Sequence, residues 1–179
     1  MTHITTGVEY GLHCLLHLAD PLDPGRTASA RDLADLQGVP VEYVAKLFTK
    51  LQKAGLVAAS EGARGGFRLA RAPRSISALD VIDAIDGKKP LFECRDIRGG
   101  CAIFGRKPPA WAMRGVCSIH ALMLEAEARM RETLAACTLS DLADRVNAKA
   151  PRDYPRQIAT WLASRAPPPR RAHTEDASV

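Results

Sequence analysis

No stretch of the 179 residues approaches the ~18 consecutive apolar residues that a membrane-spanning helix needs. The N-terminus, MTHITTGVEYGLHCLLHLAD, lacks the basic segment that opens a secretory signal and carries Glu9, His13 and His17 in its apolar part. It therefore does not read as a targeting sequence, and the expected location is the cytoplasm. There is no Gly-rich phosphate loop, no nucleophile elbow and no paired-carboxylate site, so the expectation is a protein that is not an enzyme. No internal repeat is visible, which argues against a solenoid.

Apolar residues make up 46% of the chain, enough to build a core. The net charge is +5 and is unevenly spread. Residues 60–75 carry Arg64, Arg68, Arg71 and Arg74 against Glu61, and residues 95–117 carry Arg95, Arg98, Arg106, Lys107 and Arg114 against Asp96. Local basic patches of this kind are compatible with a nucleic-acid partner.

Periodicity supplies the elements. Ile4, Val8, Leu12, Leu15, Leu16 and Ala19 recur at helical spacing, with Pro21 and Pro24 as the stop. Ser29 is a good N-cap for a short helix, ARDLADLQ, that ends at Gly38. A further helix, VEYVAKLFTKLQKAG, starts almost at once, with Val41, Val44, Leu47, Phe48 and Leu51 apolar. Two helices joined by a tight Gly-containing turn predict a helix-turn-helix. Leu56-Val57 and Phe67-Arg68-Leu69 predict two short strands around a basic, Gly-rich hairpin tip, which makes the unit a winged helix. ISALDVIDAIDG predicts another helix, residues 118–136 a long one, and TLSDLADRV a short one capped by Thr138 or Ser140. The long helix carries an apolar stripe from Ile119 through Leu122, Met123, Ala126, Met130 and Leu134 to Cys137, suited to packing on the domain or on a second subunit. The expected class is mainly α with a small β wing. The winged helix-turn-helix occupies 1–87, a cysteine-bearing loop 88–117, the long and short helices 118–149, and a disordered tail, rich in Pro, Arg and Ala, 150–179, in which IATWLA packs locally.

A winged helix implies double-stranded DNA as partner, with the second helix of the helix-turn-helix in the major groove. The expected contacts there are Val41, Glu42, Tyr43, Lys46 and Lys50, with Ser29 at the start of the preceding helix. Glu42 suits cytosine, Lys46 guanine or phosphate, and Tyr43 phosphate or a methyl group. On the wing, Arg64 and Arg68 would meet backbone or minor groove, while Gly62, Gly65 and Gly66 allow close approach.

Three of the five cysteines fall in one segment with the spacing C-x6-C-x15-C-x2-H: Cys94, Cys101, Cys117 and His120. In a reducing compartment such a cluster points to metal or redox chemistry rather than to disulfides. Thiolates and imidazole suit an iron–sulfur cluster or zinc. Arg95, Arg98 and Arg114 would favour thiolates, which serves ligation and direct thiol oxidation alike. Spacing alone leaves these readings open. Cys14 and Cys137 lie on apolar helix faces and read as small core residues.

Taken together, TTGVEYGLHCLLHLA, the run LFTKLQKAGLV into GGFRLAR, ISALDVIDAIDG, the cysteine segment ending CSIHAL, and TLSDLA resemble the Rrf-two family of winged-helix repressors, over about residues 3–147. The resemblance implies a homodimer whose long helices cross, and a two-iron or four-iron cluster that senses nitric oxide, redox stress or iron supply. It implies Cys94, Cys101 and Cys117 as ligands. The fourth ligand it implies is either His120 or an acid on the partner's first helix, at the position of Glu9. Two departures stand out. The gap between the second and third cysteines is short in the family but is filled here by AIFGRKPPAWAMRGV. The wing, commonly RGPGGGY, reads EGARGGF, and Ala45 stands where some relatives carry a polar base-reading residue, so a different operator is expected.

Overall fold

Ser29, Ser77 and Thr138 each open a helix in the same way. Each hydroxyl accepts the backbone N–H of an aspartate three residues on, at 3.0, 3.1 and 3.2 Å, and that aspartate's carboxylate takes the N–H of the capping residue. These capping boxes satisfy orphan donors at both positions and place a negative charge in the first turn. They start α2 (Ala30–Gln37), α4 (Ala78–Asp86) and α7 (Leu139–Asn147). Thr138, rather than Ser140, is the cap of α7.

The computed structural model describes residues 4–20, 23–60 and 65–165. Pro21, Glu61, Gly62, Arg64 and residues 166–179 lie outside the described residues. Helix α1 runs Thr6–Leu18, and α3 Val41–Lys53. Between α2 and α3, Gly38 sits at φ 66, a left-handed conformation that ends α2 without a Cβ clash. Strands β1 (Val57–Ser60) and β2 (Gly66–Leu69) form an antiparallel hairpin that pairs Val57 with Leu69 and Ser60 with Gly66. Phe67 adds a second pairing with Ala28, ahead of α2. Gly66 permits it, because a Cβ there would stand 3.1 Å from the Ala28 carbonyl oxygen.

Leu15, Leu18, Leu33, Val44, Phe48, Leu51, Ile76, Val81 and Leu139 are buried in one shared core. α1 crosses α4 at Gly11, where a Cβ would meet Ile85 Cδ1 at 2.5 Å. The long helix α6 (Ser118–Ala136) has no fully buried residue. It is held on α4 by Arg131, whose guanidinium donates to both carboxylate oxygens of Asp83 at 3.2 and 2.8 Å.

The segment 118–149 shares the core of 1–87: Leu139 is buried in it, and Ser77 bridges to Thr138. One expectation needs correction. The tail expected from 150 is helical over Tyr154–Ser164, named α8. Ile158, Trp161 and Leu162 share one helical face at i, i+3 and i+4 and pack on the core, with Leu162 buried. Arg165 then pairs with Asp32 at 2.7 Å and with Asp35, across the Trp161 ring. The flanking Pro and Arg residues mask this short amphipathic stretch.

Candidate functional site

α3 turns Val44, Leu47, Phe48 and Leu51 inward and leaves Glu42, Ala45, Lys46 and Thr49 exposed. Its exposed side and the wing are the surface expected to meet DNA. Lys46, Glu42 and Arg68 are free of the core, and Gly65 takes φ 53 at the wing. Other expected contacts have structural duties. Val41 is half-buried against the core. The Tyr43 ring stands edge-on to Tyr10 at 5.7 Å, and its hydroxyl lies where a Cβ on Gly7 would come within 2.8 Å. The Ser29 hydroxyl is engaged in its capping box. Lys50 Nζ donates to the Ile85 carbonyl at 2.6 Å, in the last turn of α4, where a cation suits the helix dipole.

The cysteine segment is built from short pieces: 3-10 turns at Ile97–Gly100 and Ala102–Phe104, and the single helical turn α5 (Ala110–Met113). Arg98 organises it. Its guanidinium donates to Asp96 at 2.6 Å and to the carbonyls of Arg114 and Gly115 at 3.4 and 2.8 Å. That ties the turn after Cys94 to the chain entering Cys117. Asp96 takes φ 46, and its N–H donates to Cys94 Sγ at 3.4 Å. Cys117 is the N-cap of α6, and the N–H groups of His120 and Ile119, helped by the Arg98 charge, hold its thiol below the ordinary range. Cys101 is exposed at the start of the fifteen-residue insertion, which folds on itself with Phe104 edge-on to Trp111 at 5.8 Å.

Among the described residues, no three His, Cys, Asp or Glu side chains are grouped closely enough to hold a metal ion. Cys94, Cys101 and Cys117 are thus not gathered with His120 or Glu9 within one chain. Glu9 is exposed on α1, and the His120 ring lies 6.2 Å from Phe92. The donor chemistry nevertheless fits a thiolate-bound centre: a backbone N–H on one sulfur, a helix N-terminus on another, and one guanidinium acting on both. Cys14 is different, because burial pushes its thiol up to about 12 and keeps it protonated. The organising roles of Arg98 and Asp96 were not visible in the sequence, where Arg98 read as one of three arginines that would favour thiolates and Asp96 as the lone acid of a basic stretch.

A family model described as an iron-dependent transcriptional regulator, Rrf2, matches residues 4–145. The chain belongs to the Rrf2 family. Protein rrf2 of Nitratidesulfovibrio vulgaris is 31% identical over 139 residues, covering 78% of this chain and 85% of the relative. The HTH-type transcriptional regulator IscR of Aliivibrio salmonicida is 30% identical, covering 78% of this chain and 76% of the relative. Among solved structures, CymR, the global cysteine regulator of B. subtilis, superposes with a TM-score of 0.62 at 26% identity, over 81% of this chain and 98% of that one. The mainly helical fold with a two-stranded wing is that of Rrf2 winged-helix regulators. This Rrf2 protein is accordingly a helix-turn-helix transcription regulator with DNA as its partner, and its relatives are regulators rather than enzymes. Among the described residues, no helix is long and apolar enough to cross a membrane.

Proposed function

We propose that this regulator acts as a homodimeric repressor whose operator affinity is set by an iron–sulfur cluster on Cys94, Cys101 and Cys117. The fourth ligand is His120 or Glu9 of the partner subunit. The observation that carries this reading is the Arg98 centre, which acts electrostatically on both Cys94 and Cys117 while the helix N-terminus stabilises the Cys117 thiolate. A cluster bound there would supply a centre that nitric oxide, oxidants or iron loss can alter. Dimerisation is supported by α6, on which Ile119 and Leu122 are 62% and 61% exposed. The residues that would relay a change run from Cys117 along α6 to Arg131, across to Asp83 on α4, and from Ile85 to Lys50 on the recognition helix.

Anaerobic purification and reconstitution test the reading. Visible absorbance lost in Cys94→Ser, Cys101→Ser and Cys117→Ser is expected, with looser operator binding; a colourless protein holding zinc by metal analysis would overturn it. The exposure of Cys101 and the lowered thiol of Cys117 favour one second reading, direct thiol oxidation. Oxidant-dependent DNA release by the metal-free dimer, abolished by Cys101→Ser, distinguishes it.

A further inference from the structure

A cavity of about 540 Å³ lies between α1, α2, α7 and α8, far in sequence from the cysteine segment. Its size falls in the range of small-molecule sites, roughly 300–1,000 Å³. Leu16, Leu36, Val146 and Ile158 make its apolar walls. Its polar end is the His17 imidazole, hydrogen-bonded to the Gln37 side-chain amide. Burial, followed by the nearby His13 and Arg26, lowers His17 to about 4, so that ring is neutral at physiological pH. Arg26 also lines the space, but its charge is compensated: the guanidinium pairs with Asp20 and Asp23 and donates to the His17 carbonyl at 3.3 Å. The lining, mostly half-buried or exposed, therefore presents apolar surface together with the His17 tip and the polar side chains of Asn147 and Tyr154, while the Arg26 charge is offset by Asp20 rather than left to match an ionic ligand.

The far wall is shared by the end of α7 and by the C-terminal helix α8. Val146, Asn147, Tyr154, Pro155 and Ile158 all lie past residue 145, where the family match ends. That wall is fastened to the helix-turn-helix, since Arg165 pairs with Asp32 and Asp35 of α2. We infer that this cavity binds a neutral, largely apolar small molecule carrying one hydrogen-bonding group. A molecule seated there touches Leu36 and Gln37, the last residues of α2 before the Gly38 turn. It would add a second input to DNA binding, independent of the cysteines.

Benzophenone has the required chemistry: two apolar rings, no charge and one carbonyl acceptor. Irradiated with the full-length protein, it is expected to label saturably, with the adduct mapped by peptide mass spectrometry to residues 12–20, 33–37 or 143–158. Ala143→Trp, which places an indole in the cavity, is expected to cut labelling at least tenfold in a protein that remains folded. Labelling that does not saturate, that maps to the exposed apolar side of α6 or to the cysteine segment, or that survives in a folded Ala143→Trp protein overturns the proposal. The peptide map on the unaltered chain decides the matter should the variant fail to fold.

Discussion

The winged helix and the cysteine segment sit next to each other in the chain and are stabilised in opposite ways. In the first, every helix contributes buried side chains to one core, and Phe48 is fully buried against Phe67 at 4.9 Å. In the second, Ala112 is the one buried apolar side chain among residues 88–117, while Ile97, Ile103 and Trp111 are 81%, 85% and 74% exposed. Its order comes from Arg98, bound to one carboxylate and two carbonyls, and from short turn hydrogen bonds. A region held by hydrophobic burial resists change; a region held by exposed polar contacts opens at low cost and can respond to what binds it.

Core and loop substitutions should separate these modes most widely. Phe48→Ala is expected to destabilise the protein by about 3–5 kcal/mol, through lost burial and a residual cavity. Trp111→Ala should change it by under about 0.5 kcal/mol, since its ring is mostly in water. Urea unfolding of the two variants checks both, and equal losses would erase the contrast.

Acidification is the next strongest probe, and it acts on the core side. His17 has a folded pKa of about 4 against 6.5 unfolded, so on acidification the unfolded chain takes up its proton first. The contribution of the neutral ring is complete above pH 6.5 and is lost as pH falls from there to about 4, amounting to about 3 kcal/mol. His17→Phe should flatten stability across that window, as measured by denaturation at a series of pH values.

DNA binding should respond more modestly. Lys46→Ala and Arg68→Ala are each expected to weaken operator binding about tenfold and to reduce the salt slope by about 1, as for lost phosphate or base contacts. Lys50→Ala should leave the salt slope unchanged, because its ammonium is committed to the Ile85 carbonyl. Fluorescence anisotropy at several salt concentrations separates the two behaviours. The smallest global effect is expected for Arg98→Ala: an unshifted thermal midpoint, but faster amide exchange around Asp96 and from Gly115 to Cys117. Slow exchange there in the variant would show that Arg98 does not organise the segment.

What could be read from the sequence was what is decided locally. Helix α2, the Gly38 turn and α3 follow from caps, periodicity and one left-handed residue, all within a few positions of one another. The span of α6 followed from its apolar stripe at helical spacing. The expected DNA contacts were sorted less well, because Lys50 finds its acceptor 35 residues away and Tyr43 finds Tyr10 on another helix. Helix α8 was legible only as local packing of IATWLA: beyond the masking Pro and Arg residues, its anchor Arg165 meets aspartates 133 and 130 residues earlier. The cysteine spacing offered candidate donors, yet the arrangement of their segment depends on Arg98 reaching 16 and 17 residues ahead, which no local pattern announces.

The two ends of α6 are anchored very differently. At its C-terminal end the chain is pinned, with Ala78 N–H on the Cys137 carbonyl at 2.8 Å and Leu139 N–H on the Ile76 carbonyl at 2.9 Å. Its other end begins at Cys117, in the loosely held segment. Nineteen residues of helix make a rod roughly 28 Å long. Such a rod is a lever with its fulcrum at the DNA-binding core and its handle at a cysteine: a rotation of a few degrees at the pinned end corresponds to a displacement of an ångström or more at the sulfur.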